Sequence, residues 1–173
     1  MIVRKESTVC FSGYRPHKFD FPLSGDEYEL FTKQLHSGIA KAIENGHDTF
    51  LVGMAPGYDI IAAELVIFAR RAYSEKEIKL VGVLPYANFK DSKHFDVEWC
   101  ERYDSVMEQV VETINVTEKD DWRNGCYDLR NKFMVDNSSL LICYSTGKSG
   151  GTKSTVKYAT DKGLKIINIA ELS

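Results

Sequence analysis

The sequence predicts an α/β domain: a doubly wound, mostly parallel sheet flanked by helices on both faces. Three observations lead there. Short apolar, β-branched runs alternate with longer amphipathic segments along the whole chain. Glycine-bearing turns stand where several of the runs give way to helices. The length of 173 residues, with 43% hydrophobic and 27% charged, suits one domain with an ordinary core, so residues 1–173 are read as a single domain. Parallel strands need crossover connections, and these are usually helical, so alternation of this kind is the mark of such a sheet.

The elements follow in order. Thr8 to Ser12 reads as the first strand, running into Gly13 and Pro16. From Ser24 to Glu44, Tyr28, Phe31, Leu35, Ile39 and Ile43 recur at helical spacing behind an acidic start, which suits a helix N-terminus. Thr49 to Gly53 reads as the second strand, and Met54 to Asp59 as a loop opening a helix through Ala62, Leu65, Ile67 and Ala69. Leu80 to Leu84 is a third strand ended by Pro85. The polar, poorly periodic stretch from Tyr86 to Phe95 predicts a surface excursion. A helix over Asp96 to Gln109, a strand over Val110 to Val116, a helix over Asn124 to Asn137 and a strand over Ser139 to Tyr144 follow. Gly150 to Asp161 is the last helix and Lys165 to Ile169 the last strand.

A net charge of −3 shows no basic surplus, so nucleic acid is an unlikely partner and a small ligand fits better. Cys10, Cys100, Cys126 and Cys143 are far apart and form no C-x-x-C pair, which predicts reduced thiols. Neither a signal peptide nor a membrane-spanning stretch is legible, so a cytoplasmic protein with no membrane partner is expected. His17, His36, His47 and His94 lack metal-ligand spacing, and neither a metal nor a cofactor is expected. Trp99 and Trp122 suit a core or lid better than a base-stacking platform, and Glu118 to Asp121 reads as a solvated loop.

In sheets of this type ligands sit beyond the carboxyl ends of the strands, which directs attention to three loops. Ser12 to His17 offers Gly13 for close backbone approach, Arg15 as a cationic fork for phosphate, and Tyr14 as a ring for stacking. In Gly53 to Asp59, Gly53 and Gly57 let the chain turn and expose amides at a helix start, and Asp59 could cap that helix or bond a sugar hydroxyl. Ser145 to Thr152 is the strongest anion-binding signal, with three glycines and four hydroxyls, among them Ser149, Gly150, Gly151 and Thr152. Its Gly147-Lys148-Ser149 is not a P-loop, because Ile142 stands where the first glycine must be, and no G-x-G-x-x-G occurs.

The phrases Val9-Cys-Phe-Ser-Gly-Tyr-Arg-Pro16, Gly53-Met-Ala-Pro-Gly-Tyr-Asp59, Arg130-Asn-Lys-Phe-Met-Val-Asp136 and Ser149-Gly-Gly-Thr152 together resemble the SLOG superfamily, in particular its YpsA/YoqJ-like branch. That resemblance implies a Rossmann-like domain related to the LOG phosphoribohydrolases and to DprA, with a nucleotide-derived ligand and self-association as a homo-oligomer. It also implies that Arg130 corresponds to the arginine of the phosphoribohydrolases. Their loop carries a glutamate after the paired glycines, whereas here the stretch reads Thr152-Lys-Ser-Thr155. A hydroxyl cannot replace that carboxylate as an acid–base group at neutral pH.

The leading expectation is therefore a binding module that senses or sequesters a nucleotide or ADP-ribose-like ligand. Gly13, Tyr14, Arg15, Gly53, Gly57, Asp59, Arg130, Ser149, Gly150, Gly151 and Thr152 would form its site. An enzyme acting at an N-glycosidic bond, with Asp59, Glu64 or Arg130 as candidate catalytic residues, is the alternative. A DprA-like platform for DNA or protein is the third reading.

Overall fold

The computed structural model describes residues 3–172. Six strands, β1 (Thr8–Ser12), β2 (Thr49–Val52), β3 (Lys79–Leu84), β4 (Glu112–Asn115), β5 (Leu140–Cys143) and β6 (Lys165–Asn168), form one sheet in the order β4-β3-β2-β1-β5-β6. Every neighbouring pair is parallel, with Val9 opposite Phe50 on one side and Leu140 on the other. Five helices cover it: α1 (Asp26–Glu44), α2 (Tyr58–Ala72), α3 (Val97–Met107), α4 (Cys126–Asp136) and α5 (Gly151–Asp161).

Alternation along the strands sorts side chains between the two faces. Val9, Phe11, Phe50 and Val52 pack with Leu35, Ile39, Ile60, Trp99 and Tyr103 of α1, α2 and α3. Cys10, Leu51, Val81 and Leu141 pack instead with Met134, Val135 and Ala159 of α4 and α5. The inner strands β1, β2, β3 and β5 are buried on both faces, which is why they read as continuous apolar runs, whereas the edge strands β4 and β6 are partly exposed. Because β5 lies beside β1, the chain leaves β1 toward β2 and returns on its other side. The loops after β1 and β5 therefore diverge and leave a crevice between them.

Helix α1 takes three acidic residues into its first turn and turns Phe31, Leu35, Ile39 and Ile43 inward at i, i+4 spacing. It ends before Asn45 and Gly46, whose φ of +96° suits glycine. Helix α4 is built differently. Its buried positions Cys126, Arg130 and Met134 form one row, so a guanidinium occupies a place that would ordinarily be apolar.

The stretch from Tyr86 to Phe95 departs from the expected surface excursion. Tyr86 and Phe89 are buried, and Phe89 stacks edge-on against Tyr86 and Phe95. Three aromatics in ten residues hold apolar surface enough to fold this connection back onto the protein. Trp99 lies in the core, whereas Trp122 is 57% exposed. The Glu118–Asp121 run is pinned by backbone bonds from Ala87 to Lys119 and from Asn88 to Asp120. All four cysteines are free thiols, and no helix among the described residues is long and apolar enough to cross a membrane.

Candidate functional site

A cleft of about 400 Å³ opens at the carboxyl end of the sheet, where the loops after β1 and β5 part. Its walls come from four places. Phe11 and Ser12 end β1, and Gly13 to Arg15, His17 and Lys18 follow it; Ala55 precedes α2 and Asp59 lies in its first turn; Tyr127, Arg130 and Asn131 lie on α4; and Gly151 and Thr152 open α5. His94 completes the wall from the connection before α3.

Of the residues singled out from the sequence, Gly13, Tyr14, Arg15, Asp59, Arg130, Gly151 and Thr152 line this cleft. Gly53, Gly57, Ser149 and Gly150 are not among its lining residues and shape the wall from behind. A Cβ at Gly53 would lie 2.6 Å from Arg130 Nη1 and 2.8 Å from Asp59 Oδ2, so glycine is what lets these two groups converge. Gly57, with φ +89°, brings α2 against the carbonyl of Tyr14, where a Cβ would stand at 2.6 Å. The neighbouring Met54 adopts φ +62°, a conformation uncommon for residues with a side chain and concentrated at functional sites.

The amides after β2 are less free than the turn suggested. Ala55 N donates to Asp59 Oδ2 at 3.2 Å, and Tyr58 N donates to the Tyr14 carbonyl at 3.0 Å. Part of the loop after β5 is likewise spent internally. Thr146 N donates to Tyr14 Oη at 2.8 Å, and Thr152 Oγ1 donates to the Gly13 carbonyl at 3.0 Å. Burial pushes the Tyr14 phenol up, but bonds from Thr146, Ser145 and Lys148 outweigh it and hold it below its ordinary range. Two lysines tie the loops after β1 and β5 together: Lys18 donates to the Ser149 carbonyl at 2.6 Å, and Lys148 to the Lys18 carbonyl at 2.7 Å and to Asp20 at 2.6 Å. What remains for a ligand is the first turn of α5, whose leading amides have no intrahelical acceptor.

Arg130 is the central cation. It is 5% exposed, donates through Nε to Asn131 Oδ1 at 2.8 Å and through Nη1 to the Gly53 carbonyl, and lies over the Phe89 ring. No hydrogen bond among the described residues engages Nη2. Burial lowers its proton affinity, yet arginine keeps its charge at neutral pH. Asp59 faces it across Gly53. Burial raises the Asp59 carboxyl, opposed by Arg130, the Ala55 amide and Arg15. Both groups thus sit in surroundings poorer than water, which an incoming anion would improve for the arginine.

Among the described residues Asp59 is also the one carboxylate lining the cleft. Glu64, the other candidate acid, is placed elsewhere: it forms a two-pronged pair with Arg102 at 2.8 and 2.7 Å between α2 and α3. A raised carboxyl gives a stability that is fully present below its unfolded value and lost as pH rises through the folded one. Asp59→Asn is therefore expected to gain on the wild type in denaturant titrations between pH 4 and pH 7, and a constant difference across that range would refute this.

Sequence reasoning missed His17, Lys18, His94, Tyr127 and Asn131 as parts of the cleft. For Tyr127 and Asn131 a signal existed, since with Arg130 they stand at i, i+3 and i+4 on one helix face. Arg15 rests over the Tyr127 ring at 5.3 Å, a pairing no local pattern announces.

Comparison with known proteins bears on this arrangement. UPF0398 proteins of Bacillus cereus strains B4264 and G9842 are 24% and 25% identical to the chain over 157 and 161 residues, covering 90% of it and 83% of each relative. Among solved structures, DNA processing protein A from Helicobacter pylori superposes with a TM-score of 0.59 at 17% identity, over 92% of this chain and 63% of that one. DprA from Streptococcus pneumoniae gives the same TM-score at 15% identity, over 92% and 48%. The chain thus spans less than two thirds of either structure. The Helicobacter pylori protein is described by its single-stranded DNA binding mode, and this overturns the expectation that nucleic acid is an unlikely partner. The physical reason is that a net charge of −3 sums the whole surface, while Arg15, Lys18 and Arg130 gather in one cleft. The YpsA family model, described as the YspA SLOG family, matches residues 9–170, and with nearly the whole sequence and the fold in agreement, the chain belongs to that family.

Proposed function

We propose that the cleft binds the phosphate of a nucleotide or nucleotide-derived, ADP-ribose-like ligand, as a sensing or sequestering module. The observation that supports it most is Arg130: a guanidinium nine-tenths buried, lining an open cleft, with Nη2 engaged by no hydrogen bond among the described residues. A buried charge is costly unless something compensates it, and a phosphate seated between Arg130, Arg15 and the start of α5 would do so. The site lies at the point of the sheet where ligands of this fold class bind. Family membership agrees with a nucleotide-related role.

Calorimetry over AMP, ADP, ADP-ribose and NAD tests this, and a panel without a binder overturns it. Arg15 has no ion pair among the described residues and is half-buried, so its charge is available. Arg15→Ala is expected to weaken the binding ligand by about 1.5–3 kcal/mol, roughly tenfold to a hundredfold, as loss of one charge-assisted contact does. Unchanged affinity would remove Arg15 from the site.

A second reading, a surface for single-stranded DNA, is favoured by the fold shared with DNA processing protein A and by the cations around the cleft. Such binding falls steeply with salt in proportion to the phosphates neutralised. A mobility shift of an oligonucleotide that weakens with salt and is lost in Arg15→Ala would support it, and absence of a shift at low salt would refute it.

A further inference from the structure

Among the described residues the cleft gathers five side chains that are or can become cationic, Arg15, His17, Lys18, His94 and Arg130, against the single carboxylate of Asp59. His94 is half-buried at the rim. Its ring packs 6.2 Å from that of Tyr127 on α4, which also carries the Arg15 guanidinium over its face and packs against Tyr86 and Phe89. The charged and titratable groups facing it are Arg15 and His17 from the loop after β1 and Lys93 beside it, all of one sign, with the Tyr127 phenol alongside. Burial opposes a proton on His94, as does this surrounding, and the imidazole stands below its ordinary value. Asp59 is buried and faces Arg130 across Gly53.

We infer that the cleft takes a phosphate ligand bearing at least two negative charges and that binding it loads a proton onto His94, making this residue the one that reads ligand charge. The inference rests on the phosphate-binding reading above. An anion between Arg15 and Arg130 offsets the positive field at His94, and an imidazolium bonds a phosphate oxygen more strongly than a neutral ring does. By linkage, affinity must then rise as pH falls through the bound-state value of His94, by up to about tenfold per pH unit for one proton.

The experiment is calorimetry on the full chain between pH 6 and pH 8, in buffers of differing ionisation enthalpy, so that protons exchanged on binding are counted directly. ADP-ribose is the main probe, because its diphosphate diester has no proton that titrates in this range. Inorganic diphosphate separates a bare anion site from one that needs the nucleoside, and adenosine supplies the uncharged control. Expected are proton uptake with ADP-ribose, none with adenosine, and tightening of ADP-ribose toward pH 6. In His94→Gln binding should persist with the uptake abolished and the pH profile flat, whereas His36→Gln, whose ring packs on Phe68 away from the cleft, should retain both. Binding of ADP-ribose without uptake, uptake that survives in His94→Gln, or adenosine binding as tightly as ADP-ribose would each overturn the inference while leaving a ligand site in place. Failure of every nucleotide and of diphosphate to bind would instead overturn the phosphate reading itself, and this inference with it.

Discussion

Replacing Arg130 by methionine is expected to weaken ligand binding by about 1.5–3 kcal/mol, roughly tenfold to a hundredfold, and to cost the fold about 1–3 kcal/mol. The two losses have different origins. In the cleft the guanidinium is the deepest cation, and methionine offers no charge to a phosphate. In the wall its Nη1 and Nε satisfy the Gly53 carbonyl and Asn131 Oδ1, and both acceptors would be left without their donor. Asp59 would lose its nearest opposite charge while remaining buried. Methionine retains much of the stem volume and can still lie against Phe89, so a cavity adds little. Lysine should recover part of the binding but less of the stability, since a single ammonium cannot reproduce the fork that reaches Gly53 and Asn131 together. Calorimetry for the ligand and denaturant titration for the fold separate the two effects, and full affinity in the methionine variant would exclude Arg130 from the site.

Gly13→Ala is expected to have the largest effect on stability, about 1–3 kcal/mol or above from overpacking. A Cβ there would project into the Tyr58 ring, within 2.5 Å of both Cδ atoms. That ring cannot yield. It is fully buried, its hydroxyl donates to the Ile142 carbonyl at 2.7 Å, and it packs against Phe11 and Phe31. Each kcal/mol lowers the melting temperature of a domain of this size by roughly 2–4 °C. Calorimetric melting of the variant within a degree of the wild type would show that Tyr58 can move. The loop after β1 is held at its start by this contact, so the cleft should lose affinity along with stability.

The inner strands were legible because each is a short apolar run buried on both faces, and the ends of all six strands fall within two residues of the sequence reading. The connection from Tyr86 to Phe95 was misread because polar residues between its aromatics mask a periodicity that only packing reveals. Arg130 was legible through the family resemblance, but its burial was not. Glu64 illustrates the opposite case: its position in the chain, five residues after Asp59, suggested the cleft, yet helical rotation turns it to the α3 side and into the hands of Arg102.

The sequence by itself determined the α/β alternation, the parallel sheet and the loops that border the site, because these depend on local periodicity and on glycines at strand ends. Only the tertiary structure decided which groups within those loops face the cleft. Strand order places the loop after β1 between those after β2 and β5, and so brings Arg15, Asp59, Arg130 and Thr152 to one opening with His94 and Tyr127. The amides after β2 and β5 that looked free are partly used by Asp59 and Tyr14. Charge behaves in the same way: composition reports a sum of −3, whereas binding responds to the field at one place, and that field exists only once distant residues are folded together.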